Sequence, residues 1–71
     1  MSPEEIRKLE KEVKKTKRLA SEQAMELHDL IEDKLPDGYK ELMGIAEATY
    51  QACLAWDKAN QKLTAALAEA A

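Results

Sequence analysis

The sequence predicts an all-α protein, an antiparallel two-helix hairpin that dimerises into a four-helix bundle. Three observations support this prediction: two long apolar stripes, a single breaker between them, and a chain of only 71 residues. The breaker is Leu35-Pro36-Asp37-Gly38. On each side of it, apolar or small residues recur at steps of three and four, which places them on one face of a helix. A hairpin this small cannot cover its own apolar faces, so we expect self-association.

Helix 1 is expected from about residue 3 to about residue 34 of a single domain, residues 1–71. It begins with a capping box, in which Ser2 is the N-cap and Glu5 stands three residues later. Pro36 ends it, because proline disfavours helical geometry in the residue before it. The apolar stripe shifts phase near its middle, so its two halves are expected to face different neighbours. Its members are Ile6, Leu9, Val13, Thr16, Ala20, Ala24, Leu27, Ile31 and Leu35.

Helix 2 is expected from about residue 39 to about residue 69, after a turn at residues 35–38. Its stripe alternates steps of four and three, the heptad repeat of left-handed antiparallel packing. Gly44 stands among apolar residues, which favours close packing of another helix at that point. The members of the stripe are Leu42, Ala46, Thr49, Cys53, Trp56, Asn60, Leu63, Leu67 and Ala70.

The charge is distributed unevenly along helix 1. Residues 6–18 hold seven cations and two carboxylates, whereas residues 22–41 hold seven carboxylates and two cations. An antiparallel copy would lay the basic segment on the acidic one. A solvated face of mixed charge is the alternative interpretation. The formal net charge of −3 disfavours a general nucleic-acid binder.

Several functional classes are disfavoured by what the sequence contains. One cysteine excludes a disulfide within the chain and fits a reducing cytoplasm. We do not expect the polar N-terminus to be an export signal, and no apolar run reaches the roughly 20 residues of a membrane span. The sequence has no Ser/His/Asp set, HExxH, CxxC or glycine-rich phosphate loop, so we expect a protein that is not an enzyme.

His28 and Glu32 form the candidate metal site. His28 is the only histidine, and Glu32 stands one helical turn after it. Imidazole with carboxylate suits nickel, zinc or iron. One chain offers too few ligands for a tight site, so His28 from symmetry-related copies would be needed. The alternative is a half-exposed histidine that pairs with Glu32 or Asp29.

The candidate interface is a set of apolar residues whose burial would drive assembly. Trp56 is expected to anchor it, since large aromatic residues at such positions are usually core or interface residues. Cys53 is expected to be a small buried hydrophobe there, with metal ligation or an interchain disulfide as alternatives. The candidate interface residues are Leu27, Ile31, Leu42, Cys53, Trp56 and Leu63.

Two other functions remain open. One is an RNA-binding hairpin dimer, which would use the basic run of helix 1. RNA readout usually needs aromatic stacking as well as charge, and no aromatic residue lies in this run, so nucleic acid is not the expected partner. The other is a plain protein–protein interaction module. The residues of the basic run are Arg7, Lys11, Lys14, Lys15 and Arg18.

The segment LHDLIEDKLP, residues 27–36, is succeeded by YKEL at 39–42 and by AEATY at 46–50. This pattern resembles a family of short Rop-like proteins encoded in bacterial nitrogen-fixation gene clusters. The chain departs from it by one extra residue, Lys34, and by Tyr39 where a tryptophan is common.

The resemblance implies a helical-hairpin accessory protein of nitrogen fixation, located in the cytoplasm, with nitrogenase-assembly proteins as partners. It also implies a metalloprotein, in which His28 of the LHDL motif is the ligand candidate. The Rop-like label describes shape, and RNA binding does not follow from it.

Overall fold

The computed structural model describes residues 2–70, and within them the chain is two antiparallel helices joined by a short turn. Helix α1 spans Pro3–Asp29, a π-helical turn over Leu30–Lys34 continues it, and helix α2 spans Tyr39–Ala70. The hairpin measures 52 × 14 × 13 Å. The predicted all-α hairpin is therefore confirmed, whereas its dimerisation remains a prediction. The side chain of Ala70, the last member of the predicted stripe, lies outside the described part.

Helix α1 begins with the cap that the sequence predicts. The Ser2 hydroxyl accepts a hydrogen bond from the Glu5 backbone N–H at 3.3 Å, and the Ser2 carbonyl accepts one from Ile6 at 3.1 Å. Glu4 and Glu5 in the first turn lie at the positive end of the helix dipole. Local interactions thus stabilise the start of α1.

The end of α1 differs from a regular α-helix. The five residues that follow it, Leu30–Lys34, form a π turn, the wider helical turn characterised by hydrogen bonds between residues five apart rather than four. The extra residue, Lys34, is the last residue of this wider turn. Leu35 then adopts extended geometry, with φ −84° and ψ 146°, as expected before Pro36.

Gly38 closes the turn at a point where a side chain would be crowded. Its N–H donates to the Lys34 carbonyl at 2.6 Å. A Cβ at this position would lie 3.0 Å from the same carbonyl oxygen and 3.2 Å from Cδ1 of Leu30. Gly44 behaves differently: a Cβ there would meet nothing within 4 Å. The predicted close packing at Gly44 is therefore wrong for the hairpin, because the glycine lies on an exposed side of α2.

The buried face of α1 follows one heptad repeat from end to end. The predicted phase shift after Ala20 is wrong, because the repeat continues through Gln23 to Leu30. Leu30 is only 1% exposed, whereas its neighbour Ile31 is 52% exposed. The inward positions are Ile6, Leu9, Val13, Thr16, Ala20, Gln23, Leu27 and Leu30.

The buried face of α2 also differs from the predicted stripe. Cys53 and Leu67 are exposed, while Ala59 and Ala66 are 7% and 1% exposed. Small alanines let two helix backbones approach closely, so they occupy the seam while the larger residues next to them project to the side. The inward positions are Leu42, Ile45, Thr49, Ala52, Trp56, Ala59, Leu63 and Ala66.

One polar contact defines the register of the two helices. The Thr49 hydroxyl lies 2.8 Å from the Ile45 carbonyl in its own helix and 3.3 Å from the Gln23 carbonyl of α1. Residue 49 is thus level with residue 23. Continuing this antiparallel register places each inward residue of one helix level with an inward residue of the other.

Candidate functional site

His28 and Glu32 lie side by side at the end of α1. The Nε2 atom of His28 is 3.3 Å from Glu32 Oε1, and its Nδ1 atom is 3.8 Å from Asp29 Oδ1. The side chains are 58% exposed for His28 and 63% for each carboxylate. The helix brings His28 and Glu32 together because residues four apart share one face. The pair is therefore an open, solvated donor set.

One chain supplies an incomplete metal site. Within residues 2–70, no group of three or more His, Cys, Asp or Glu side chains is placed to hold a metal ion. Protein sites for transition metals usually take three or four protein ligands. Cys53 cannot join His28 and Glu32, since it lies on α2 nearer the middle of the hairpin. A complete site would need donors from a second molecule.

The predicted interface residues divide into two groups. Leu27, Leu42, Trp56 and Leu63 lie half-buried along the seam between α1 and α2. Ile31 and Cys53 lie outside that seam and are exposed.

Trp56 has an unusual feature within the seam. Its Nε1 atom is buried and has no hydrogen-bond partner among the described residues. The ring nevertheless forms one wall of a shallow surface depression on α2. The depression is lined by Tyr50, Cys53, Leu54, Trp56 and Asp57.

An exposed apolar patch lies on one side of the hairpin, near the turn. In an antiparallel pair of heptads, the positions one and four residues after the first inward position of each heptad fall on the same side of both helices. Ile31 of α1 and Cys53 of α2 are such positions. Sequence reasoning missed the largest members, Met43 and Tyr50, although their spacing of seven residues is a signal of a second stripe. The members of this turn-proximal patch are Ala24, Ile31, Met43, Ala46, Tyr50 and Cys53.

The basic run covers the solvent-facing side of α1. Its five side chains are exposed, and they line two shallow concavities together with Glu10. Arg18 Nε lies 4.0 Å from Glu22 Oε1, an exposed pair of little energetic weight. No aromatic side chain occurs between Arg7 and Arg18. The surface offers point charges without a platform for stacking bases.

An elongated two-helix hairpin with an exposed apolar patch on one side defines the class of this chain, that of small helical-hairpin proteins. The chain belongs to the Rop-like family, whose model matches residues 4–68. Members of this family are homodimeric hairpins. No curated protein and no solved structure matches the chain. Among residues 2–70, neither helix has an apolar stretch long enough to cross a membrane.

Proposed function

We propose that this protein is a cytoplasmic, non-enzymatic accessory protein of nitrogen fixation, a hairpin that dimerises and serves as a scaffold. The observation that carries this proposal is the turn-proximal patch. Met43 is 77% exposed and Tyr50 is 62% exposed in the single hairpin. Large apolar side chains that are grouped on one side mark an interaction surface. A second copy of the chain, giving a four-helix bundle, is the occupant that family membership favours.

The assignment to nitrogen fixation rests on the LHDLIEDKLP segment together with the YKEL and AEATY segments of α2. These segments resemble the pattern of Rop-like proteins from nitrogen-fixation gene clusters, and the family match spans all three. Nitrogenase-assembly proteins are the partners that this role implies. Deleting the gene in its host should slow growth on N2 and leave growth on ammonium unchanged. Equal growth of the deletion and parent strains on N2 would contradict the assignment.

Metal binding is the second candidate function, because His28 and Glu32 are already paired. Two such pairs from two chains would supply four donors, enough for nickel, zinc or iron. Calorimetric titration of the tag-free protein with each metal tests this. We expect micromolar affinity at less than one metal per chain, lost in His28→Ala and retained in the control Glu47→Gln.

The same titrations separate a metalloprotein from a scaffold. Sedimentation of each sample gives the mass of the assembly with and without metal. A dimer that forms equally in the wild type and in His28→Ala, without metal binding in either, supports the scaffold alone. A wild-type chain that stays monomeric at all concentrations would overturn self-assembly itself.

A further inference from the structure

The apolar patch covers only half of the hairpin's exposed side. Near the turn, that side carries the six members of the patch together with Ser21 and His28. Near the open end, the corresponding positions are mostly charged or polar, and Leu67 is the one large apolar residue among them. These open-end positions are Arg7, Glu10, Lys14, Lys17, Asp57, Asn60, Thr64 and Leu67.

The patch is centred well away from the middle of the molecule. In the register set by Thr49 and Gln23, Cys53 is level with residue 19 of α1 and marks one end of the patch. Ile31 of α1 marks the other end. Its centre is therefore level with Met25. The middle of the helical hairpin lies about six residues, or roughly 10 Å, nearer the open end at 1.5 Å per residue.

We propose that two copies dock antiparallel through their turn-proximal halves only, with the two-fold axis level with Met25. This inference rests on the self-association proposed above and specifies its geometry. A fully overlapped antiparallel pair would lay the patch of each chain on the charged open half of its partner. Partial overlap instead buries patch against patch. The Tyr50 end of the depression on α2 then comes level with the partner's Met43, and Met43 is the most exposed large apolar residue of the described hairpin.

Charge complementarity favours the same arrangement. With the axis level with Met25, the basic residues 14–18 of each chain come level with the acidic residues 32–37 of its partner. A parallel pair, with both turns at one end, would set the acidic turn regions side by side. Within residues 2–70, no carboxylate lies within salt-bridge distance of Lys14, Lys15 or Lys17, so these cations have no carboxylate partner in the single chain.

Partial overlap also brings the two histidines together. His28 lies three residues from the axis, so the two copies are about 9 Å apart along the helices. Full overlap would separate them by about 28 Å. The partly overlapped antiparallel dimer therefore brings the two His28 side chains much closer together than the fully overlapped antiparallel dimer does.

A matched pair of charge substitutions tests the overlap. Tyr50→Glu and Leu67→Glu change exposed apolar residues on the same side of α2, one inside the patch and one at the open end. We expect Tyr50→Glu to raise the dimer dissociation constant by at least about 100-fold and Leu67→Glu to change it less than about 3-fold. Sedimentation equilibrium measures both constants, and circular dichroism checks that both variants are helical. Both fully overlapped and parallel dimers bury Leu67, so equal disruption by the two variants overturns the inference.

Cross-linking gives an independent readout. In a Cys53→Ser background, His28→Cys should be joined into dimers by a bis-maleimide that spans about 10–13 Å, a reach chosen from the axial separation. The native Cys53 residues are expected about 18 Å apart along the helices and should resist direct oxidation to a disulfide. A dimer that oxidises readily at Cys53 and is not joined at residue 28 supports full overlap. A monomeric wild type would overturn the proposed self-association rather than its geometry.

Discussion

The Thr49 hydroxyl of α2 lies 3.3 Å from the Gln23 carbonyl oxygen of α1, the side-chain hydrogen bond that joins the two helices in the described residues. Thr16, the other threonine of the seam, satisfies its hydroxyl within its own helix, 2.7 Å from the Glu12 carbonyl. A heptad seam of alanines and leucines tolerates sliding by whole repeats. The hydrogen bond between Thr49 and Gln23 forms in one register only. Sliding the helices to any other register would therefore lose it.

Thr49→Val therefore tests the register contact while keeping the shape of the side chain. We expect a loss of about 0.5–1.5 kcal/mol in the free energy of unfolding, the usual net value of one hydrogen bond. Urea denaturation measures it. Thr64→Val, at an exposed position on the same helix, is the control and should change little. Equal effects in the two variants would mean that the contact across the hairpin contributes nothing.

Two variants of Trp56 distinguish the stability that its large side chain contributes from the free-energy cost of its unpaired N–H. Trp56→Ala should destabilise the protein by about 3–5 kcal/mol and dissociate the assembly, because it leaves a cavity in the seam. Trp56→Phe keeps most of the ring and removes the buried Nε1–H that lacks a partner. We expect this variant to lose far less stability than the alanine variant. A Trp56→Ala protein that is equally stable and associated would contradict the placement of Trp56 in the seam.

The two glycines make a matched comparison in thermal unfolding. Gly44→Ala should stabilise the protein by about 0.5–1 kcal/mol, because alanine is the better helix former and its methyl group meets nothing. Gly38→Ala should destabilise it, since the methyl group would press on the Lys34 carbonyl and the Leu30 side chain. A melting temperature that falls in Gly44→Ala would indicate that another chain packs closely there.

The alanine seam of α2 is tested by enlarging one residue of it. Ala66 is 1% exposed, so Ala66→Leu should force the helices apart at a cost of about 1–3 kcal/mol. Ala65→Leu adds the same atoms at an exposed neighbouring position and should be nearly neutral. If Ala65→Leu were instead the more harmful change in denaturant unfolding, the seam would lie on a different face of α2.

Much of the fold was predictable from local features of the sequence. The Ser2 cap, the extended geometry before Pro36 and the turn at Gly38 each depend on interactions within a few residues. The pairing of His28 with Glu32 was predictable for the same reason, because residues four apart in a helix are neighbours. The hairpin results from two apolar stripes and one breaker.

The inward face of each helix was decided only by tertiary packing. On α2, residues 45, 52, 59 and 66 and residues 46, 53, 60 and 67 repeat with the same period, and the sequence analysis favoured the second set. The packed pair turns the first set inward instead, in which Ile45 is joined by three alanines whose small side chains let the two helices approach closely. Ile31 of α1 and Cys53 of α2 are exposed because neither belongs to the inward set of its helix.

The sequence by itself determined where the helices begin and end and that they pair, since capping, proline geometry and hydrophobic periodicity act locally. The tertiary structure alone decided which face turns inward, that a π turn continues α1 over Leu30–Lys34, and that one side near the turn remains apolar and open. Those features depend on the fit between two helices, a property of surfaces that lie apart in the sequence.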